Sequence, residues 1–158
     1  MLPLLLTHCG RNENDKIDPA IQKDILEMQE HIKIDGLQDE LTGVIHKKDV
    51  YDFIGINTNG LDCLYFPYKD GKFNIEYEIL SAEQKEYAEQ LKAFAKSKGF
   101  HITMTSYQRK GYYKKDDNKN VIRIEANANA KKIAALAKEI QAKIFLHDDS
   151  TVYDVVPQ

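Results

Sequence analysis

A chain of 158 residues with 42% hydrophobic and 30% charged side chains can close one hydrophobic core, and no apolar run in it nears the roughly 18 residues of a membrane helix. Its 22 basic and 25 acidic residues leave a formal charge of -3, a balance that disfavours nucleic acid and names no partner. Two cysteines, Cys9 and Cys63, with no Cys-x-x-Cys pair, argue against a disulfide framework or structural zinc site and point to a reducing cytoplasm.

Leu4-Leu5-Leu6-Thr7-His8-Cys9-Gly10, followed by the polar run Arg11 to Lys16, resembles the end of a bacterial lipoprotein signal and its tether. The match departs from the pattern at His8, where a small residue is usual, and lacks a basic leader. The expectation is a flexible or weakly packed N-terminus over 1–17 and a single α+β domain over 18–158. Anchoring at Cys9 is the alternative to a cytoplasmic location, should the true start lie upstream.

Asp18-Pro19 is a helix start, an Asp N-cap before a proline whose missing N–H costs nothing at that position. Ile21, Ile25, Met28 and Ile32 then recur at helical spacing as far as Gly36, giving a stripe that packs on the sheet or on a second copy of the chain. Leu41 to His46 reads as a short strand. Tyr51 to Thr58 and Leu61 to Tyr68 read as a hairpin about Asn59-Gly60, a dipeptide suited to a type I′ turn. Pro67 argues for a break in pairing near the end of the second strand.

Lys69-Asp70-Gly71-Lys72 turns the chain into Phe73 to Leu80, where Phe73, Ile75, Tyr77 and Ile79 alternate with polar neighbours. Ser81 stands three residues before Gln84, the capping-box spacing, and Tyr87, Ala88, Leu91, Phe94 and Ala95 mark one helical stripe up to Gly99. Phe100 to Tyr107 and Val121 to Ala126 are strands. Asn127 or Asn129 caps a helix with Ile133, Leu136, Ile140 and Ile144 on one side, and Thr151 to Val156 ends the sheet.

The fold class is therefore α+β: a two-layer sandwich whose antiparallel sheet has a ferredoxin-like β-α-β-β-α-β core (73–156), preceded by a helix and a β-hairpin. Read from Asp18, the element order resembles that of type III secretion chaperones, and the size and absence of catalytic motifs are similar to those of small bacterial immunity proteins. Both resemblances imply a domain that works by holding another protein.

His101-Ile102-Thr103-Met104 resembles the His-x-Thr strand signature of the two-histidine phosphoesterases, which implies acid–base chemistry on a phosphodiester by His101 and Thr103. That chemistry needs a second such strand, and none of His8, His31, His46 or His147 is followed two residues later by Ser or Thr. His101, Thr103, Thr105 and Tyr107 otherwise form the polar face of a strand. His147-Asp148-Asp149-Ser150 holds metal-ligand types in an ordinary acidic turn, so no metal and no cofactor is assigned.

Tyr107, Arg109, Lys110, Tyr112, Tyr113, Lys114 and Lys115 concentrate cations and aromatics in one connection, the composition of a partner-binding surface. Asp62, Glu76 and Glu78, with Glu83, Glu86 and Glu89, read as solvated faces, and Cys63 reads as a small buried hydrophobe. The function expected is a non-catalytic protein-binding module of the immunity-protein or secretion-chaperone kind, with a phosphodiesterase-like enzyme at His101 as the alternative.

Overall fold

The computed structural model describes residues 18–21, 30–46, 51–106 and 119–157. Their elements run β1 (His31–Lys33), a 3-10 turn (Ile34–Gly36), α1 (Leu37–His46), β2 (Phe53–Asn57), β3 (Leu64–Lys69), β4 (Lys72–Glu78), α2 (Ala82–Ser97), β5 (His101–Thr105), β6 (Val121–Ala128), α3 (Ala130–Lys143) and β7 (Val152–Val156). All seven strands form one sheet in the order β1-β7-β2-β3-β4-β6-β5, with every neighbouring pair antiparallel.

Local chemistry explains the two long helices. The Ser81 hydroxyl accepts from Gln84 N–H, and the Gln84 side chain returns to accept from Leu80 N–H, so two orphan donors at the start of α2 are satisfied. Ala88, Leu91 and Ala95 are buried beneath α2. Asn129 caps α3 through Lys132 N–H at 2.9 Å, and Ile133, Leu136 and Ile140 face the sheet. Asn127, the other cap considered, lies inside β6 with φ 45°, where the β4–β6 register shifts and its N–H donates to the Asn74 side chain.

The N-terminal half departs from expectation. Asp18 does begin a helix, accepting from Ala20 N–H at 2.8 Å, but Ile32 stands in β1 and Ile34–Gly36 form a 3-10 turn, so no helix extends to Gly36. Ile25 and Met28 lie outside the described residues. The strand expected over Leu41 to His46 is helical, because Leu37 and Leu41 share one buried side at i,i+4 spacing.

The type I′ turn falls elsewhere than Asn59-Gly60. Asp70 (φ 52°) and Gly71 (φ 81°) both take positive φ between paired Lys69 and Lys72, whereas in the β2–β3 connection Gly60 does and Asn59 does not. The β3–β4 ladder pairs Tyr65 with Glu76 and resumes at Tyr68 and Phe73, on either side of Pro67, which has no N–H to give.

The ferredoxin-like order is met only in part. β4, β6 and β5 lie side by side, with α2 crossing between the parallel β4 and β5, but β7 does not pair with β4 as that core requires. The β2–β3 hairpin is inserted between them. What stands is an α+β sheet with α1, α2 and α3 packed over a single face, where Ile54, Ile56, Phe66, Phe73, Ile75, Tyr77, Ile122, Ile124, Tyr153 and Val155 form the main core.

The opposite face is not a solvated polar surface. Successive registers place Val156, Gly55, Tyr65, Glu76, Arg123 and Thr103 in one row across six strands. Phe53, Tyr65, Val121 and Val156 form a second buried cluster here with Cys63. Glu76 and Glu78 are buried, at 0% and 4% exposure, which corrects the reading of both as solvated. Glu83, Glu86 and Glu89 are exposed on α2.

Candidate functional site

β5 is the terminal strand of the sheet, so along one side its backbone N–H and C=O groups have no ladder partner among the described residues. Natural edges are blunted by shortness, lysine, proline or bulges. At the other edge β1 is three residues long and ends in Lys33. β5 has five residues, His-Ile-Thr-Met-Thr, with none of those devices.

Beside this edge runs a groove of about 620 Å³ between α2 and β5, lined by Glu89, Lys92, Ala93, Lys96, Gly99, Phe100, His101 and Ile102. Phe100 and Ile102 turn toward the core and give the groove an apolar floor, while Met104, 41% exposed, continues the apolar side of the strand. Lys92 is tied to Glu89 at 2.9 Å, whereas Lys96 has no ion-pair partner among the described residues. Lys132 lies 5.7 Å from the centre of the Phe100 ring.

His101 is exposed at the start of this edge, opposite Glu125. Thr103 lies opposite Arg123 on the far face, its hydroxyl buried without a hydrogen-bond partner among the described residues. His101 and Thr103 thus share a strand face, but no second histidine lines the groove. His147 precedes β7, five strand steps away, roughly 24 Å at the usual spacing. His31 is on β1, farther still, and His46 ends α1. His8 and the expected binding residues Tyr107, Arg109, Lys110, Tyr112, Tyr113, Lys114 and Lys115 lie outside the described residues, the latter in the connection that continues directly from β5.

A second polar assembly surrounds the 58–62 turn. The Asp62 carboxylate, 1% exposed, accepts from Thr58 N–H and Thr58 hydroxyl, both at 2.8 Å, and from Asn59 N–H at 3.3 Å. The carbonyls of Gly60, Leu61 and Asp62 receive Gln84 Nε2, Tyr77 hydroxyl and Gln141 Nε2, so α2, β4 and α3 each hold the turn. His147 Nδ1 lies 3.0 Å from the Tyr153 hydroxyl and 3.6 Å from Asp62 Oδ2. Loss of water on burial raises the pKa of both Tyr77 and Tyr153, and the Asp62 charge adds to each.

With the Gly60, Leu61 and Asp62 carbonyls engaged and the Phe145 ring in tilted contact with Tyr77, Tyr87 and His147, this assembly fastens the helices to the sheet. The His147-Asp148-Asp149-Ser150 residues diverge. His147 turns inward, Asp148 accepts from Ser150 N–H, and Asp149 faces Lys138. No group of three metal-ligating side chains occurs among the described residues.

Cys63 is buried as expected, at 2% exposure, but it is disulfide-bonded, which corrects the inference from two cysteines that no disulfide forms. No helix among the described residues is long and apolar enough to cross a membrane. Comparison with protein-family models, with curated proteins and with solved structures finds no match to this chain.

Proposed function

We propose that the chain is a non-catalytic protein-binding module, of the immunity-protein or secretion-chaperone kind, which takes an extended segment of its partner onto the β5 edge. The observation that carries the reading is the edge itself: five residues without lysine, proline or bulge, beside an apolar-floored groove. Backbone pairing supplies affinity in such complexes and side-chain pockets supply selectivity. Tyr107 to Lys115, which continue from β5, are the second half of the surface, where tyrosines bury area at low entropic cost and lysines steer encounter.

The reducing compartment inferred from two unpaired cysteines loses its ground once Cys63 is disulfide-bonded, so no cytoplasmic location is carried into this reading. The test is affinity purification by the full chain from its native cell, followed by titration of the recovered protein against the parent and edge variants. A partner that binds a variant with Met104→Pro as tightly as the parent does not use this edge.

A further inference from the structure

Resting on the reading of β5 as a docking edge, we infer that the segment it takes is acidic: an antiparallel strand with apolar side chains at two alternate positions and a carboxylate at the next. The register turns Ile102, opposite Ile124, and Met104, opposite Ile122, to the side of the helices, and an added strand sets alternate residues beside them. Those two positions call for apolar partners, since Ile102 is half-buried and Met104 is 41% exposed. Every pairing in the sheet is antiparallel. A segment that continues the pattern passes Met104 first, then Ile102, and then reaches Phe100.

That third position lies at the cationic end of the groove. Glu89, Lys92, Ala93 and Lys96 recur at helical spacing along the wall that α2 supplies. Glu89, the one carboxylate lining the groove among the described residues, is tied to Lys92 at 2.9 Å. Lys96 is exposed and has no carboxylate partner among the described residues, and the same holds for Lys132, whose ammonium lies 5.7 Å from the centre of the Phe100 ring. The Phe94, Ala95 and Lys96 carbonyls at the end of α2 already accept from N–H groups of Lys98, Gly99 and Phe100, so they are engaged within the chain. Two uncompensated cations therefore flank an apolar floor in a chain whose formal charge is -3. A carboxylate brought to Phe100 is attracted by both, and a lysine is repelled by both. A second copy of this chain fits less well, because its His-Ile-Thr-Met-Thr edge has no carboxylate to give and adds another Lys96.

The experiment titrates the isotopically labelled full chain, at low salt, with two blocked peptides: serine alternating with valine, valine and glutamate in that order, and the counterpart with lysine for glutamate. Amide chemical shifts report where each peptide binds and how tightly. The expected result is movement of the His101 to Thr105 amides, with the glutamate peptide bound about fivefold or more tightly than the lysine one. Lys96→Glu and Lys132→Glu, both at exposed positions, should each abolish or reverse that preference. Equal affinity of the two peptides at β5, or a preference that survives both substitutions, overturns the acidic segment and leaves the docking edge standing. If neither peptide moves the β5 amides, the edge reading falls and the inference falls with it. Shifts in β5 that grow with protein concentration alone, together with a doubled mass in sedimentation, give the edge to a second copy and overturn the inference.

Discussion

Arg123 Nε donates to Glu76 Oε2 at 2.8 Å, joining directly registered residues of β4 and β6 on the face of the sheet away from the helices. The carboxylate is completely buried, while a third of the arginine side chain still reaches solvent. Removing the cation takes one hydrogen-bonded partner from a buried carboxylate, and breaking such a pair costs more than the pair contributes. Arg123→Ala should therefore lower unfolding stability by roughly 3 kcal/mol. The double change Arg123→Met with Glu76→Leu should recover much of that loss. Urea unfolding of the three proteins checks both statements.

Gly55 occupies the same row. A Cβ there would lie 2.8 Å from Tyr65 Cδ1 and from Val156 Cγ2, and 3.0 Å from the Leu64 carbonyl oxygen. The ring and the valine have closed over the glycine. Gly55→Ala should destabilise by about 1 to 3 kcal/mol through overpacking, against the slight gain alanine gives in an open strand. Thermal unfolding measures the difference.

Tyr77 and Tyr153 make stability depend on alkaline pH. Burial raises both hydroxyls above tyrosine's ordinary 10.0, so the unfolded chain releases these protons first. A group whose folded pKa lies above its unfolded value contributes stability in full below the unfolded pKa and loses it as pH rises toward the folded one. Stability should fall above about pH 10, by up to about 1.4 kcal/mol per pH unit for each tyrosine. Urea midpoints measured from about pH 8 to about pH 11 should show this slope, and Tyr77→Phe or Tyr153→Phe should each flatten it.

The elements whose causes are local could be read directly. Ser81 with Gln84 and Asn129 with Lys132 carry their capping chemistry within three residues, and α2 and α3 follow with their stripes intact. Asp70-Gly71 makes its turn by the same logic. β1 and α1 could not be read, since three residues carry no period and Leu37 to His46 alternates too little to separate strand from helix before its burial is known. The insertion of β2 and β3 between β7 and β4 is decided by long-range pairing.

For the candidate site, His101 to Thr105 was legible as a strand, but its place at the edge depends on the order of all seven. Glu76 and Glu78 misled because alternation identifies a polar face without saying what covers it.

Replacing Tyr112 and Tyr113 by alanine should weaken the partner complex by about 2 kcal/mol, roughly thirtyfold in dissociation constant, with little change in thermal stability. Calorimetric titration with the partner recovered by affinity purification, together with thermal unfolding of the variant alone, checks it. Changing Lys110, Lys114 and Lys115 to Gln should chiefly slow association and flatten its salt dependence.

Amide hydrogen exchange of the full chain, alone and with that partner, tests the central claim most directly, because an added strand protects the backbone groups it pairs with. The account predicts slowed exchange concentrated in His101 to Thr105 and in the connection that follows. Unchanged exchange in β5, with protection gathered on α1, α3 or the β1 edge, would contradict it.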